Sequence, residues 1–186
     1  MSKSLGTGVD PLDLIEKYGA DATRFGLAFQ AFGGQDIRFN ENVCLMGKKF
    51  ANKLWNIARF ILANYDPSLP SPHEGRMGGV TDADKKILHQ LECTIKDITK
   101  NIQAYRFGEA AHIVYDFVWH DLADKYIEIS KAQLKDKKLK DNTLITLSYL
   151  LITTLKLLHP FMPFVTEEIW SKLNQKDLLI VAGWPA

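Results

Sequence analysis

Three groups of side chains in this sequence are of types and spacings that could do chemistry: a lysine among small hydroxyls at the start, a helical stripe that mixes cations with amides and aromatics, and a run of lysines around position 135. Lys3 stands within Met1-Ser2-Lys3-Ser4, followed by Gly6 and Gly8, and a lysine flanked by hydroxyls suits phosphate. No Walker-type spacing surrounds it, and an ordinary chain start reads the same way. Plotted at about 100° per residue, positions 41–65 place Val43, Met46, Phe50, Leu54, Ile57 and Ile61 on one stripe. The opposite arc collects Lys48, Lys49, Asn52, Lys53, Asn56 and Arg59, with Trp55 on one rim and Phe60 on the other. Cations meet phosphates, amides read base edges and aromatics stack on bases, so the arc has the groups that single-stranded RNA recognition needs. A solvated helix face whose aromatics pack on neighbouring helices is the alternative. Between Lys131 and Lys140 five lysines stand against Asp136, a net of +4. Such a cluster could hold RNA backbone without reading sequence, or simply complement a helix C-terminus.

Other constellations are weaker. Asp116, His120 and Asp124 fall at i, i+4 and i+8, and His89 with Cys93 at i, i+4, but neither group supplies three or four ligands in a recognisable motif, so no metal is expected. Glu167-Glu168 suits the first turn of a helix. No Gly-x-Ser-x-Gly, Walker A or His-Glu-x-x-His pattern occurs, and the chain shows no self-contained active site.

The elements that must position these residues are helical. Asp10-Pro11 predicts a helix ending near Tyr18, and Asp21 is expected to cap a second one through Phe29. Gly33-Gly34 breaks the pattern, residues 35–39 read as an extended link, and a long helix runs from about Glu41 to Tyr65. A Pro- and Gly-rich loop follows to Gly79. Thr81 with Asp84 announces a capped helix to about Tyr105, and further helices are expected over 107–134 and 142–159, the last stopped by Pro160. Thr166 is read as the start of a short final helix, and residues 178–182 as an extended segment. The sum is an all-α antiparallel helical bundle.

Composition sets the outer limits. With 186 residues, 46% hydrophobic and 24% charged, the chain is that of an ordinary globule, and a net charge of +1 means that any basic site must be local. Cys44 and Cys93 are too few for a disulfide scaffold. The longest apolar stretch, Leu144 to Leu158, is broken by threonines and a lysine, so no membrane span is expected and the cytoplasm is the expected compartment.

At this point the residues resemble a known family. Met1-Ser-Lys-Ser4-Leu-Gly, Asp10-Pro11, Tyr18-Gly-Ala-Asp-Ala22 and Arg24-Phe25 resemble the Lys-Met-Ser-Lys-Ser loop of class I aminoacyl-tRNA synthetases and the segment behind it. Gly34-Gln-Asp-Ile-Arg-Phe39, Phe50-Ala-Asn-Lys-Leu-Trp-Asn56 with Ala58-Arg-Phe60, Tyr105-Arg-Phe107, and His159-Pro-Phe-Met-Pro-Phe164 with Thr166-Glu-Glu-Ile-Trp170 make the valyl-tRNA synthetases the best match. Isoleucyl and leucyl relatives usually differ there. The resemblance covers essentially the whole chain.

The resemblance implies a bundle of the class I synthetase anticodon-binding type over residues 40–186, preceded by a signature loop and short connecting helices over 1–39. It implies that Lys3, in a loop shaped by Met1, Ser2 and Ser4, contacts the phosphates of ATP, with Mg2+ expected, while valyl-adenylate forms. It implies that some of Lys49, Lys53, Asn56, Arg59 and Phe60 contact the anticodon stem and loop of a valine tRNA. The first lysine of the signature, a His-Ile-Gly-His element, the nucleotide-binding and editing domains and the coiled-coil arm are not found in this sequence. The chain is therefore expected to be a fragment that catalyses neither step alone, a monomer whose other partner is the catalytic domain of the same parent chain. A structural wedge without independent RNA binding, or the anticodon domain of an isoleucyl relative, are the alternatives.

Overall fold

Asp10 and Pro11 start the first helix as their order predicts: the Asp10 carboxylate accepts from Leu12 N at 2.8 Å, and Pro11, which has no N–H to leave unpaired, opens the helix. In the computed structural model, which describes residues 8–32, 39–65, 80–173 and 177–185, α1 (Pro11–Tyr18) is followed by α2 (Ala20–Gln30), α3 (Asn42–Leu62), α4 (Asp82–Gln103) and α5 (Phe107–Asp116). A π-helical segment (Phe117–Tyr126) continues without a break into α6 (Ile127–Gln133), and α7 (Lys140–Leu158), α8 (Pro163–Ser171) and a 3-10 turn (Leu179–Val181) complete the chain. Among the described residues there is no strand. The signature-loop residues Met1, Ser2, Lys3 and Ser4, the Gly33-Gly34 break with most of the extended link, and the Pro- and Gly-rich loop lie outside the described residues.

One apolar core runs through the bundle. Phe25 from α2 meets Phe50 from α3 at 4.9 Å between ring centroids, and Leu54, Ile57 and Ile61 continue the α3 stripe inward. Leu91 and Ile98 of α4, Val118 and Leu122 of the π segment, and Leu147, Leu150, Leu151 and Leu155 of α7 are fully buried against them. α7 is apolar on nearly all sides, which makes it the central helix, touching α3, α4, α5, α6 and α8. Its buried Thr143 and Thr146 satisfy their hydroxyls on the carbonyls four residues back.

The helices are locked where backbones nearly touch. A Cβ at Gly47 would sit 2.5 Å from the carbonyl oxygen of Ala22, so α3 lies directly on α2. Gly108 makes the same kind of contact with Ala31 O, seating the start of α5 on the end of α2. α2 is thereby held from both sides.

Several local expectations change for physical reasons. Asp21 does not cap its own helix, whose N-cap is Gly19 at φ +94°. Its buried carboxylate instead accepts from Phe164 N at 3.1 Å and Val165 N at 2.6 Å, capping α8, where Met162 offers no capping side chain. α8 begins at Pro163 rather than Thr166, because Pro fits the first helical position, and Thr166 lies a turn inside with its hydroxyl on Met162 O. The helix expected over 107–134 is π-helical in its middle, where buried Phe117, Leu122 and Ile127 stand five residues apart, a spacing that suits i→i+5 bonding. The segment read as extended at 178–182 contains a 3-10 turn, held by the bond from Leu179 N to the Glu167 carboxylate.

Thr81 and Asp84 form the capping box their spacing predicts, with Thr81 N donating to Asp84 Oδ2 at 2.8 Å and Asp84 N to Thr81 Oγ1 at 3.2 Å. Asp84 is also buried, and its other oxygen accepts from Tyr126 OH at 2.7 Å and Gln133 Nε2 at 3.2 Å. Burial and this hydrogen bond push the Tyr126 phenol well above its usual range. α4 ends in the opposite style. Arg106 N bonds Asn101 O and Tyr105 N bonds Ile102 O, a Schellman closure that places Tyr105, 83% exposed, at φ +57° where glycine is usual.

Two substitutions should therefore move stability in opposite directions in chemical denaturation. Gly47→Ala is expected to lower the unfolding free energy by about 1 to 3 kcal/mol, because the added methyl meets backbone. Tyr105→Gly is expected to raise it by about 1 kcal/mol by relieving left-handed strain. His159 supplies a pH test. The Thr166 hydroxyl donates to Met162 O, so His159 Nδ1 must donate to Thr166 Oγ1 at 2.8 Å, and burial holds the imidazole below its ordinary value of 6.5 despite Glu167 at 4.0 Å. The unfolded chain takes up this proton first as pH falls. Stability contributed by neutral His159 is thus complete above pH 6.5 and declines below it, and His159→Asn should flatten that part of a denaturation-against-pH curve.

Candidate nucleic-acid interface

The core stripe of α3 faces inward, so the opposite arc faces out. Lys48, Lys49, Asn52, Asn56 and Arg59 are exposed, whereas Lys53 and Phe60 are half-buried where the arc meets the core. From Lys49 to Arg59 the helix advances roughly 15 Å, enough to follow several nucleotides of a single strand. Lys49 and Arg59 make no ion pair among the described residues, and Lys48 donates only to the Lys17 carbonyl, at 3.3 Å. Their charge is directed to solvent.

The rims are held by neighbouring helices. Lys53 Nζ donates to Asp124 of the π segment at 2.9 Å and lies 5.1 Å from the centre of the Trp119 ring. That bond, with the charge of Lys53, holds the Asp124 carboxyl below its usual range, and His120 adds a weaker contact at 3.6 Å. Phe60 packs against the core, and Trp55 on the other rim carries Lys172 of α8 at 5.7 Å from its ring centre. At the start of α3, Glu41 accepts from Lys17 at 2.6 Å and Tyr18 OH at 2.8 Å, tying α1 to the same helix.

The structure brings Lys49, Asn56 and Arg59 together on one open surface and draws Lys53 and Phe60 back to its edge. Trp119 and Asp124, which shape that edge, and Lys172, which covers Trp55 on the opposite rim, come from helices distant in sequence. In sequence only Asp124 carries a signal, through the i, i+4 and i+8 spacing of Asp116, His120 and Asp124, which resembles a fragment of a metal site. Among the described residues no group of three or more His, Cys, Asp and Glu is placed to hold a metal, and His89 and Cys93 contact each other at 3.8 Å on exposed α4. The lysine run surrounds the turn between α6 and α7, where Lys131 pairs with Glu128 at 2.6 Å and Lys135, Lys137, Lys138 and Lys140 point to solvent. No helix among the described residues is long and apolar enough to cross a membrane.

The Lys53–Asp124 pair is half-exposed, and such pairs contribute under about 1 kcal/mol. A double-mutant cycle with Lys53→Ala and Asp124→Ala should give a coupling of roughly 0.5 kcal/mol that shrinks at high salt.

Comparison with known proteins identifies the family. Residues 84–186 match the family described as the anticodon-binding domain of tRNA ligase, and residues 1–40 match the class I tRNA synthetases for I, L, M and V. The whole chain is 47% identical to a valine–tRNA ligase of Bacillus thuringiensis and 46% identical to those of Geobacillus stearothermophilus and Bacillus subtilis, and spans 21% of the length of each. Its fold also matches an Agrobacterium radiobacter LeuRS, solved in a ternary complex with tRNA and LeuAMS, at a TM-score of 0.78 and 22% identity, over 100% of this chain and 22% of that one. With more than half of its residues inside the matched family and a helical bundle to go with it, the chain belongs to the anticodon-binding domain family of tRNA ligases.

Proposed function

We propose that the chain grips the anticodon stem and loop of a valine tRNA through the outward arc of α3, as part of a valine–tRNA ligase that forms valyl-adenylate from ATP and transfers valine to that tRNA. The observation that carries this reading is the exposed row of Lys49, Asn52, Asn56 and Arg59, whose cations have no ion-pair partner among the described residues. Lys49 and Arg59 meet phosphates and position the RNA, and Asn52 and Asn56 offer amides to base edges. Lys53 and Phe60 serve the edge of the same surface, with Phe60 offering a ring face to a base. The lysines around the α6–α7 turn add sequence-blind attraction.

On this reading residues 40–186 bind RNA, and residues 1–39 join the bundle to the catalytic domain of the same parent chain. Lys3, with Met1, Ser2 and Ser4 around it, supplies positive charge to the ATP phosphates there, with Mg2+ accompanying the nucleotide. These residues correspond to 21% of the valine–tRNA ligases they match, and amino-acid activation on this reading requires the rest of the parent chain. The cytoplasm is its compartment and a monomer its state.

Binding to an RNA hairpin with the anticodon stem and loop of a valine tRNA, and to the same hairpin with its anticodon exchanged, tests the reading. Affinity should fall about tenfold or more for the exchanged loop, and about tenfold for Lys49→Glu or Arg59→Glu on either hairpin. Equal affinity for both loops, unmoved by these reversals, would remove α3 from the interface.

A further inference from the structure

On the other side of the π segment from α3 lies a recess of about 270 Å³ between that segment and α4. Its floor is apolar, formed by buried Ile87 and by Tyr126, and Ile129, 44% exposed, forms one wall. Its mouth carries polar groups: Lys86 and Gln90 from α4, and Asp121 with Lys125 from the π segment. Lys125 pairs with Asp121 at 2.8 Å, while Lys86 has no ion-pair partner among the described residues.

Two features suit this recess to a flat aromatic heterocycle attached to a phosphate chain. Its floor is fixed in advance, because Tyr126 donates its hydroxyl inward to Asp84 at 2.7 Å and that carboxylate is itself held by the capping box and Gln133. An apolar slot of set shape binds a base with little ordering cost. Its mouth combines an amide, able to donate and accept, with the ammonium group of Lys86, unpaired among the described residues, as the complement of a base edge and its phosphate. The charge of Lys125 is met by Asp121. The recess and the α3 arc border the same π segment. Asp124, which touches Lys53 on one side of the π segment, is the chain neighbour of Lys125 on the other.

The geometry points to the α4–π recess as a pocket for one splayed-out base of the RNA loop held by α3, with Ile87, Tyr126 and Ile129 against the base and Gln90, Lys86 and Lys125 at its polar edge. The inference rests on the RNA-binding reading of α3. A base leaving its stack gives up stacking with its neighbours, and the recess returns apolar contact in its place.

The test uses the full chain and the valine anticodon hairpin with 2-aminopurine placed at each loop position in turn. One position should change its fluorescence on binding more than the others. Ile129→Trp, which fills the slot, should abolish that change and weaken binding about tenfold, and Lys86→Ala with Gln90→Ala should weaken it about fivefold, all with unaltered thermal unfolding. If these variants bind as tightly as the parent chain with the same fluorescence while Lys49→Glu still weakens binding, the recess is overturned and the α3 reading stands. If the parent chain binds no hairpin at all, both are overturned. Should Ile129→Trp change thermal unfolding, the Lys86 and Gln90 substitutions, which lie on exposed helix surface, decide the matter alone.

Discussion

The arrangement depends on how closely α2 approaches its neighbours. Gly47 brings α3 against the backbone of Ala22, and Gly108 brings α5 against Ala31, so one short helix is gripped at both ends by backbone contact instead of side-chain contact. Interfaces this tight leave no room for rotation, since any turn of α3 about its axis would drive a side chain into the α2 carbonyls. The orientation of α3 is therefore fixed by its buried side. With Phe50, Leu54, Ile57 and Ile61 committed to the core, Lys49, Asn56 and Arg59 have only solvent to face. The outward arc is a consequence of the inward contact.

Two buried carboxylates extend that constraint to the ends of the bundle. Asp21 reaches from α2 to the first N–H groups of α8, and Asp84 closes the start of α4 while holding Tyr126 and Gln133. A buried carboxylate without partners is costly, so each can occupy only the position in which its donors are in place. Asp21 thus ties the segment that follows the amino terminus to one near the carboxyl terminus. Asp84 makes the junction of α4 with the end of the π segment a fixed point. Apolar packing supplies most of the stabilisation, and these two groups choose among the registers that packing alone would allow.

What could be read from the sequence divides along the same line. Asp10-Pro11 and Thr81 with Asp84 announce helix starts because their partners lie two or three residues away, and the α3 stripe is legible because burial on one face imposes a 3.6-residue period. Asp21 looks like a local cap and is not one, since its donors are more than 140 residues distant. The π segment escapes a helical template because its buried Phe117, Leu122 and Ile127 recur at intervals of five. At the surface, the period identifies which α3 residues lie outside the core but not which are engaged. Lys53 and Lys49 read alike, and only the arrival of Asp124 and Trp119 from another helix separates them. Tyr105 carries no sequence signal for its left-handed backbone, because the closure that imposes it belongs to the preceding helix.

That separation matters for how a polyanion would meet this surface. Lys49 and Arg59 exchange only water and counterions for phosphate, so their contribution should appear as salt-dependent attraction over the approach. Lys53 must first leave, or share, a carboxylate 2.9 Å away. The pair it leaves is weak because it is half-exposed, whereas the charge stranded on Asp124 would sit beside the incoming phosphates and repel them. The edge of the arc is therefore costlier for phosphate than its centre. On the proposed reading, an RNA following the centre would keep its backbone on Lys49 and Arg59 and turn bases, not phosphates, toward the ridge of the π segment, where Trp119 supplies ring surface. Acidic groups beside a basic arc thus need not oppose RNA binding, because they fix which side of the strand faces the protein.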